Sequence, residues 1–303
     1  MIRYLRHSEI DRVKWDRCVA GSVNELIYAY SWYLDVVSPG WDALVDSDYE
    51  SVMPLTWNRK FGLYYLYGPY FAQQLGVFSE KNTDENKISE FINNIPQKFR
   101  LIQINLNTFN KISDSPVTVT LNKNYELDIS GPYSTIYDSY SRNCRRNIKK
   151  AIDAKLTVDD DISTIEFMQF VRANLEDRLP ELNRENFRTL IKLLDITLEN
   201  GTGRLCRVVT REGMLCAVGS FLYSSRRCIF SVCASSDEGK SSQAMYMLVD
   251  AVIKSNSGKN MIFDFSGSNI KGIAYFNSTF GAIPMEYPYI YRNNLPWFIR
   301  FLK

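Results

Sequence analysis

Histidine is nearly missing from this chain: His7 is the single one among 303 residues. A serine or cysteine nucleophile activated by histidine therefore has no partner to draw on, since His7 stands alone in a polar N-terminal stretch. The six cysteines (Cys18, Cys144, Cys206, Cys216, Cys228, Cys233) include no CxxC pair. Neither a structural zinc site nor a disulfide framework is indicated, and free thiols fit a reducing compartment. No segment approaches the roughly 18 uninterrupted apolar residues of a membrane span, and the opening MIRYLRHSEIDRVKWD lacks an apolar signal core. A soluble, cytoplasmic protein is expected. Net charge is equally scarce, at +2. With no global basic field, wrapping of a nucleic-acid duplex is disfavoured, which leaves local patches.

What is present is ordinary globular sequence, 45% hydrophobic and 23% charged, long enough for two domains. Its patterning repeats. The first half shows helical spacing around Ile10–Val19 and Tyr30–Val37. Strand-like pieces follow at 43–45, 51–57 and 63–67, split by DSDYE and NRKFG, then a helix at 87–95 and a strand at 101–106. The second half runs in the same order: helices at 162–175 and 184–198, strands at 204–210, 214–223 and 228–234, a helix at 242–254 and a strand at 261–265. Two copies of α-α-β-β-β-α-β predict two α/β domains with mixed sheets, 1–130 and 131–303. Between them, VTVTL and YELDI around Asn122-Lys123-Asn124 read as strand, turn, strand, and Gly131-Pro132 breaks the chain.

Two stretches stand out. In KNMIFDFSGSNIKGIAYFNSTFGA, a short strand carrying Asp264 ends at Ser266-Gly267-Ser268-Asn269, whose polar groups suit the cap of a following helix. In open α/β sheets such turns face ligands at the carboxyl ends of strands, so Ser266, Ser268, Asn269 and Lys271 are candidate substrate contacts. The other stretch is a predicted helix over 135–154. Ile136, Tyr140, Cys144, Ile148 and Ala151 form its buried stripe, opposite Arg142, Arg146 and Lys149 with Arg145 and Lys150 flanking them, and no acidic residue over 141–151 pairs with them. A solvated face is the bland reading. Phosphate recognition is the sharper one, since arginine at the helix centre offers a bidentate fork.

The SRNCRRNIKKA helix, the FDFSGSN turn and the terminal AYFNSTFGA together resemble the Fem-type aminoacyltransferases and related acyl-CoA N-acyltransferases. That resemblance implies tandem GNAT-like domains. It also implies transfer of an acyl or aminoacyl group, from acetyl-CoA or another acyl-CoA or from aminoacyl-tRNA, to an amine. The acceptor would be a cell-wall (peptidoglycan) precursor, a polysaccharide amine or a small molecule, and no metal is called for. A non-catalytic binding or scaffolding relative with the same fold is the alternative. The family's Gly-rich phosphate loop would correspond to SSDEGKSS, where Gly239 is the one glycine, so Gly239, Lys240, Ser241 and Ser242 are donor-site candidates on an incomplete cradle. The family's tyrosine that protonates a departing thiolate would fall at Phe276; Tyr275, one residue away and pointing about 100° elsewhere on a helix, is a catalytic candidate beside it.

Asp264 could serve as a base raised by desolvation, though a structural carboxylate holding the turn amides is the commoner case. The aromatics Tyr28, Tyr30, Trp32, Tyr33 and Trp41, with Tyr64, Tyr65, Tyr67, Tyr70 and Phe71, read mostly as core. From the loop GPYFAQQLG, Gln73 and Gln74 are candidates to reach substrate in a groove between domains.

Overall fold

The computed structural model describes residues 1–81, 83–112, 116–175, 183–267 and 269–297. The chain divides into two compact units: Met1–Lys123 with the described residues from Met285 onward, and Asn124–Pro284.

In the first unit, β1 (Ile2–Leu5) precedes α1 (Arg12–Gly21), which Asp11 caps by accepting the Val13 and Lys14 N–H groups. Helix α2 (Ser31–Val37) follows, then β2 (Asp42–Asp46), β3 (Ser51–Leu55), β4 (Trp57–Lys60), β5 (Leu63–Tyr67) and β6 (Phe78–Ser79). Helix α3 (Glu85–Asn93), capped by Asp84, leads into β7 (Phe99–Asn105). The expected strand over 51–57 is broken at Thr56, so β1-β2-β3-β6 form one sheet while β4, β5 and β7 lie in another. β5 and β7 run parallel. Trp15, Tyr33 and Trp41 are fully buried, and Ile88, Phe91 and Ile92 of α3 pack on Leu66, Ile102 and Ile104.

The predicted hairpin at 117–129 is one strand, β8 (Thr118–Asp128). Its asparagines do not turn the chain because their amides are taken up by neighbours, Asn122 Nδ2 donating to Asn105 Oδ1 at 3.2 Å and Asn124 Nδ2 to Glu126 Oε1 at 3.2 Å.

In the second unit, the single helix expected over 135–154 is two, α4 (Tyr133–Ser139) and α5 (Arg142–Asp153). Tertiary contacts make the break. Tyr140 and Ser141 are extended, the Ser141 N–H donates to the Thr279 carbonyl at 2.8 Å, and its hydroxyl caps α5 by accepting the Cys144 N–H. The apolar stripe survives the break, with Ile136, Tyr140, Cys144, Ile148 and Ala151 all buried.

Then come β9 (Thr157–Asp159), α6 (Thr164–Leu175), α7 (Arg184–Glu199), β10 (Gly203–Val209), β11 (Leu215–Tyr223), β12 (Arg227–Ser235), α8 (Asp237–Ser241), α9 (Ala244–Asn256), β13 (Ile262–Asp264), α10 (Lys271–Thr279) and β14 (Ile283–Asn293). The sheet order is β8-β13-β12-β11-β10-β9, antiparallel except for the parallel pair β12 and β13. Its core gathers Phe221, Phe230, Phe263, Phe265 and Phe280 with Leu248 and Val252 of α9. Strand β14 returns the chain to the first unit, pairing antiparallel with β7.

Candidate functional site

Three residue pairs join β12 to β13: Arg227 with Ile262, Cys228 with Phe263 and Ile229 with Asp264. Beyond them β12 stays on β11 as far as Ser235, while the other chain turns away through Phe265, Ser266 and Gly267. Ser266 and Gly267 both have φ of 54°, a left-handed conformation that suits glycine and strains serine. A buried ion triad underlies the parting. The Arg227 guanidinium donates to Asp264 Oδ2 at 3.0 Å and to Glu126 Oε1 at 2.8 Å, and Asp264 Oδ1 accepts the Ser266 N–H at 2.8 Å. Burial pushes the Asp264 carboxyl above the usual range, against the pull of Arg227. Both carboxylate oxygens are thus engaged, one by the guanidinium and one by the turn.

Where the strands part lies a pocket of about 500 Å³, lined entirely by the second unit. β12 contributes Phe230, Ser231, Cys233 and Ser235; the turn contributes Phe265, Ser266 and Gly267. A bulge explains two consecutive lining residues on β12: Phe230 faces Phe221 and Cys233 faces Gly219, so Ser220 alone opposes Ser231 and Val232. Gly239, Lys240, Gln243, Met245 and Tyr246 also line it, as do Gly272, Ile273, Phe276 and Asn277 of α10. The Tyr246 and Phe276 rings meet edge to face at 4.8 Å. Burial pushes the Cys233 thiol up to about 12, which keeps it protonated at neutral pH. Asn277 is 2% exposed, and its Nδ2 has no hydrogen-bond partner among the described residues.

The candidates read from sequence scatter around this pocket. Ser266, Gly239 and Lys240 line it; Asp264 does not, though it accepts the N–H of the lining residue Ser266, and Tyr275 is 60% exposed on α10 beside the lining residue Phe276. Asn269 and Lys271 are exposed at the start of α10, while Ser268 lies outside the described residues. Gly239 has a steric role: a Cβ there would sit 1.9 Å from the Cys216 carbonyl oxygen, so the glycine lets α8 approach β11. The first turn of α8 carries Asp237 and Glu238, and Lys240 Nζ pairs with Asp237 at 2.6 Å. Ser241 and Ser242 donate their hydroxyls to the Glu238 carbonyl.

Arg142, Arg146 and Lys149 are exposed on α5 and Arg145 is half-buried. Among the described residues none of these cations has an acidic partner; Arg146 donates to Asn143 Oδ1 at 2.8 Å. Asn143 in turn reaches the Tyr275 hydroxyl at 3.4 Å, and Cys144, Ile148 and Ala151 share a core with Leu248 and Val252 of α9, so α5 borders the two helices that line the pocket. Gln73 and Gln74 belong to the first unit, where Gln74 is buried and its amide oxygen accepts the Thr108 N–H. Sequence reading missed Ser231, Cys233, Ser235, Tyr246 and Asn277 as site residues. The alternation S-x-C-x-S on one strand face was its available signal.

No protein-family profile matches the chain, and no curated protein matches it in sequence. Solved structures do share its fold. FemX matches with a TM-score of 0.69 and 12% identity over 99% of this chain and 100% of that one. A conserved protein of unknown function from Bacteroides thetaiotaomicron matches with 0.63 and 10% over 96% and 99%. A tandem GNAT protein from the clavulanic acid biosynthesis pathway matches with 0.52 and 11% over 98% and 99%. The architecture is therefore the tandem GNAT-like one, along nearly the full chain.

Proposed function

We propose that this chain is an N-acyltransferase or aminoacyltransferase whose donor places its acyl end in the pocket of the second unit. One observation carries the reading: two parallel strands part after three residue pairs and leave an aromatic-lined pocket beside a strand bulge. The fold shared with FemX and with a tandem GNAT protein supports the same class of chemistry.

The residue inventory favours direct transfer. Cys233 is held as a thiol, and His7 belongs to the first unit, where its Nδ1 is hydrogen-bonded to the Trp41 carbonyl. In direct transfer the acceptor amine attacks the acyl carbonyl carbon. A C–N bond forms while the C–O bond of an ester or the C–S bond of a thioester breaks, and the amine's surplus proton leaves with the departing alkoxide or thiolate. The phosphates of either donor fit α5, whose 12 residues extend about 18 Å along the pocket-lining helices. The acidic first turn of α8 would repel a pyrophosphate at that helix start. That same feature favours the second reading, a binding module without chemistry, which would bind donor and never turn it over.

The test is binding of acetyl-CoA and of an aminoacyl-tRNA, with Arg142→Gln/Arg146→Gln beside the unsubstituted protein. The double variant should weaken the bound donor by about 1.5 to 3 kcal/mol per lost charged contact and flatten the salt dependence. Unchanged affinity and slope would leave α5 a solvated face, and a protein that binds neither donor would overturn the transferase reading.

A further inference from the structure

Asn277 is a buried amide that the fold does not explain. It lies on α10 between Phe276 and Ser278, is 2% exposed, and lines the pocket, yet its Nδ2 meets no acceptor among the described residues. Buried polar groups without partners are rare, and those lining a cavity mark where a ligand atom completes the set. The pocket is lined mainly by aromatic and aliphatic surface, from Phe230, Phe265, Phe276, Tyr246 and Ile273; Ser231, Ser235, Ser266 and Gln243 line it as well, yet none of them accepts from the Asn277 amide. The acceptor position is left for a ligand to fill.

We infer that the Asn277 amide donates to the carbonyl oxygen of the donor's acyl ester or thioester, and so makes the pocket selective for a carbonyl at that depth. This rests on the acyl pocket proposed above. Inside an apolar pocket the acyl end of either donor carries one obligatory acceptor, the carbonyl oxygen. A neutral amide suits it in both states: it donates to the ground-state oxygen and donates more strongly as attack places negative charge there. No carboxylate lines the pocket among the described residues, so an unshielded cationic group gains nothing from entering beside it.

Small probes separate this inference from the function it rests on. Ethyl acetate and S-ethyl thioacetate carry the ester and thioester carbonyl; diethyl ether and diethyl sulfide keep the chain without it. Titrated into ¹⁵N-labelled protein, the carbonyl probes should shift the Asn277 side-chain amide resonances and bind about tenfold tighter than their partners. Asn277→Leu, which keeps the branched shape at a somewhat larger volume and removes an unpartnered amide nitrogen, should melt no lower than the parent and bind all four probes alike. A preference for carbonyl probes that survives Asn277→Leu overturns the inference while leaving the pocket standing. So does a fall in melting temperature with no change in preference, which would make Asn277 structural. Failure of all four probes to perturb Tyr246 or Phe276 in the parent overturns the acyl pocket, and the inference with it.

Discussion

The two units share an element order and treat the same place differently. Each has an edge strand, two helices, antiparallel strands, a crossover helix and a parallel strand: β1 to β7 in the first, β9 to β13 in the second. In the second unit the parallel pair opens after Ile229 and Asp264. In the first, parallel pairing runs from Tyr64 to Tyr67 and resumes through a bridge between Leu75 and Leu106. The loop after β5 folds back along β7 and is stitched down. The Val77 carbonyl accepts from Asn24 and Asn110, the Val77 N–H donates to Asn110 Oδ1 at 2.7 Å, and the Leu75 carbonyl accepts from Asn107. Leu75, Val77 and Phe78 are buried there. A Cβ on Gly76, at φ 97°, would lie 2.2 Å from Asn110 Oδ1, so only glycine permits the stitch. Asparagines close one site by bonding backbone; an ion triad and a left-handed turn hold the other apart.

That contrast breaks most forcefully at Arg227. Arg227→Leu strands the buried carboxylates of Glu126 and Asp264, and should lower the unfolding free energy by about 3 to 5 kcal/mol in chemical denaturation. A loss below about 1 kcal/mol would show that the triad is solvated and does not hold the strands apart. In the first unit Asn110→Leu leaves the Val77 N–H without its acceptor, and should cost about 1 to 3 kcal/mol while donor affinity stays at the parental value. Weakened donor binding in that variant would mean that the closed site contributes to recognition. Smallest of all is Cys233→Ser. Burial holds Cys233 as the thiol at pH 8, so iodoacetamide should label it slowly and the serine variant should keep its donor affinity and any turnover. A burst of acyl-enzyme that Cys233→Ser abolishes would replace direct transfer with a covalent route.

Much of the element order was legible because hydrophobic period is local. Helices α1, α2, α3, α6, α7 and α9 and strands β2, β3, β5, β10, β11 and β12 fall within a few residues of where the spacing put them, while β4 takes up residues 58–60, which read as turn. The edge strands β1 and β9 escaped, being four and three residues long and, in β9, embedded in an acidic stretch. The break between α4 and α5 was hidden because its cause is remote: the Ser141 N–H is claimed by Thr279, 138 positions along the chain. Gly239 shows how one residue can answer to two causes: it lines the pocket, and its missing Cβ also lets α8 meet Cys216, a contact that no local pattern announces. Asn277 gave no local signal, since a polar residue on a short helix is ordinarily solvated, and its burial comes from the packing of α10 over the parted strands.

The most direct test fills the open site and leaves the closed one alone. Ser231→Phe places a ring at the bulge on a residue that lines the pocket and takes no part in the Glu126–Arg227–Asp264 triad. Calorimetric titration of whichever donor binds the parent, acetyl-CoA or aminoacyl-tRNA, should then show at least about a tenfold loss of affinity with the melting temperature held within a few degrees. Full affinity in the filled protein would contradict the account, because the acyl end would then lie somewhere other than between β12 and β13.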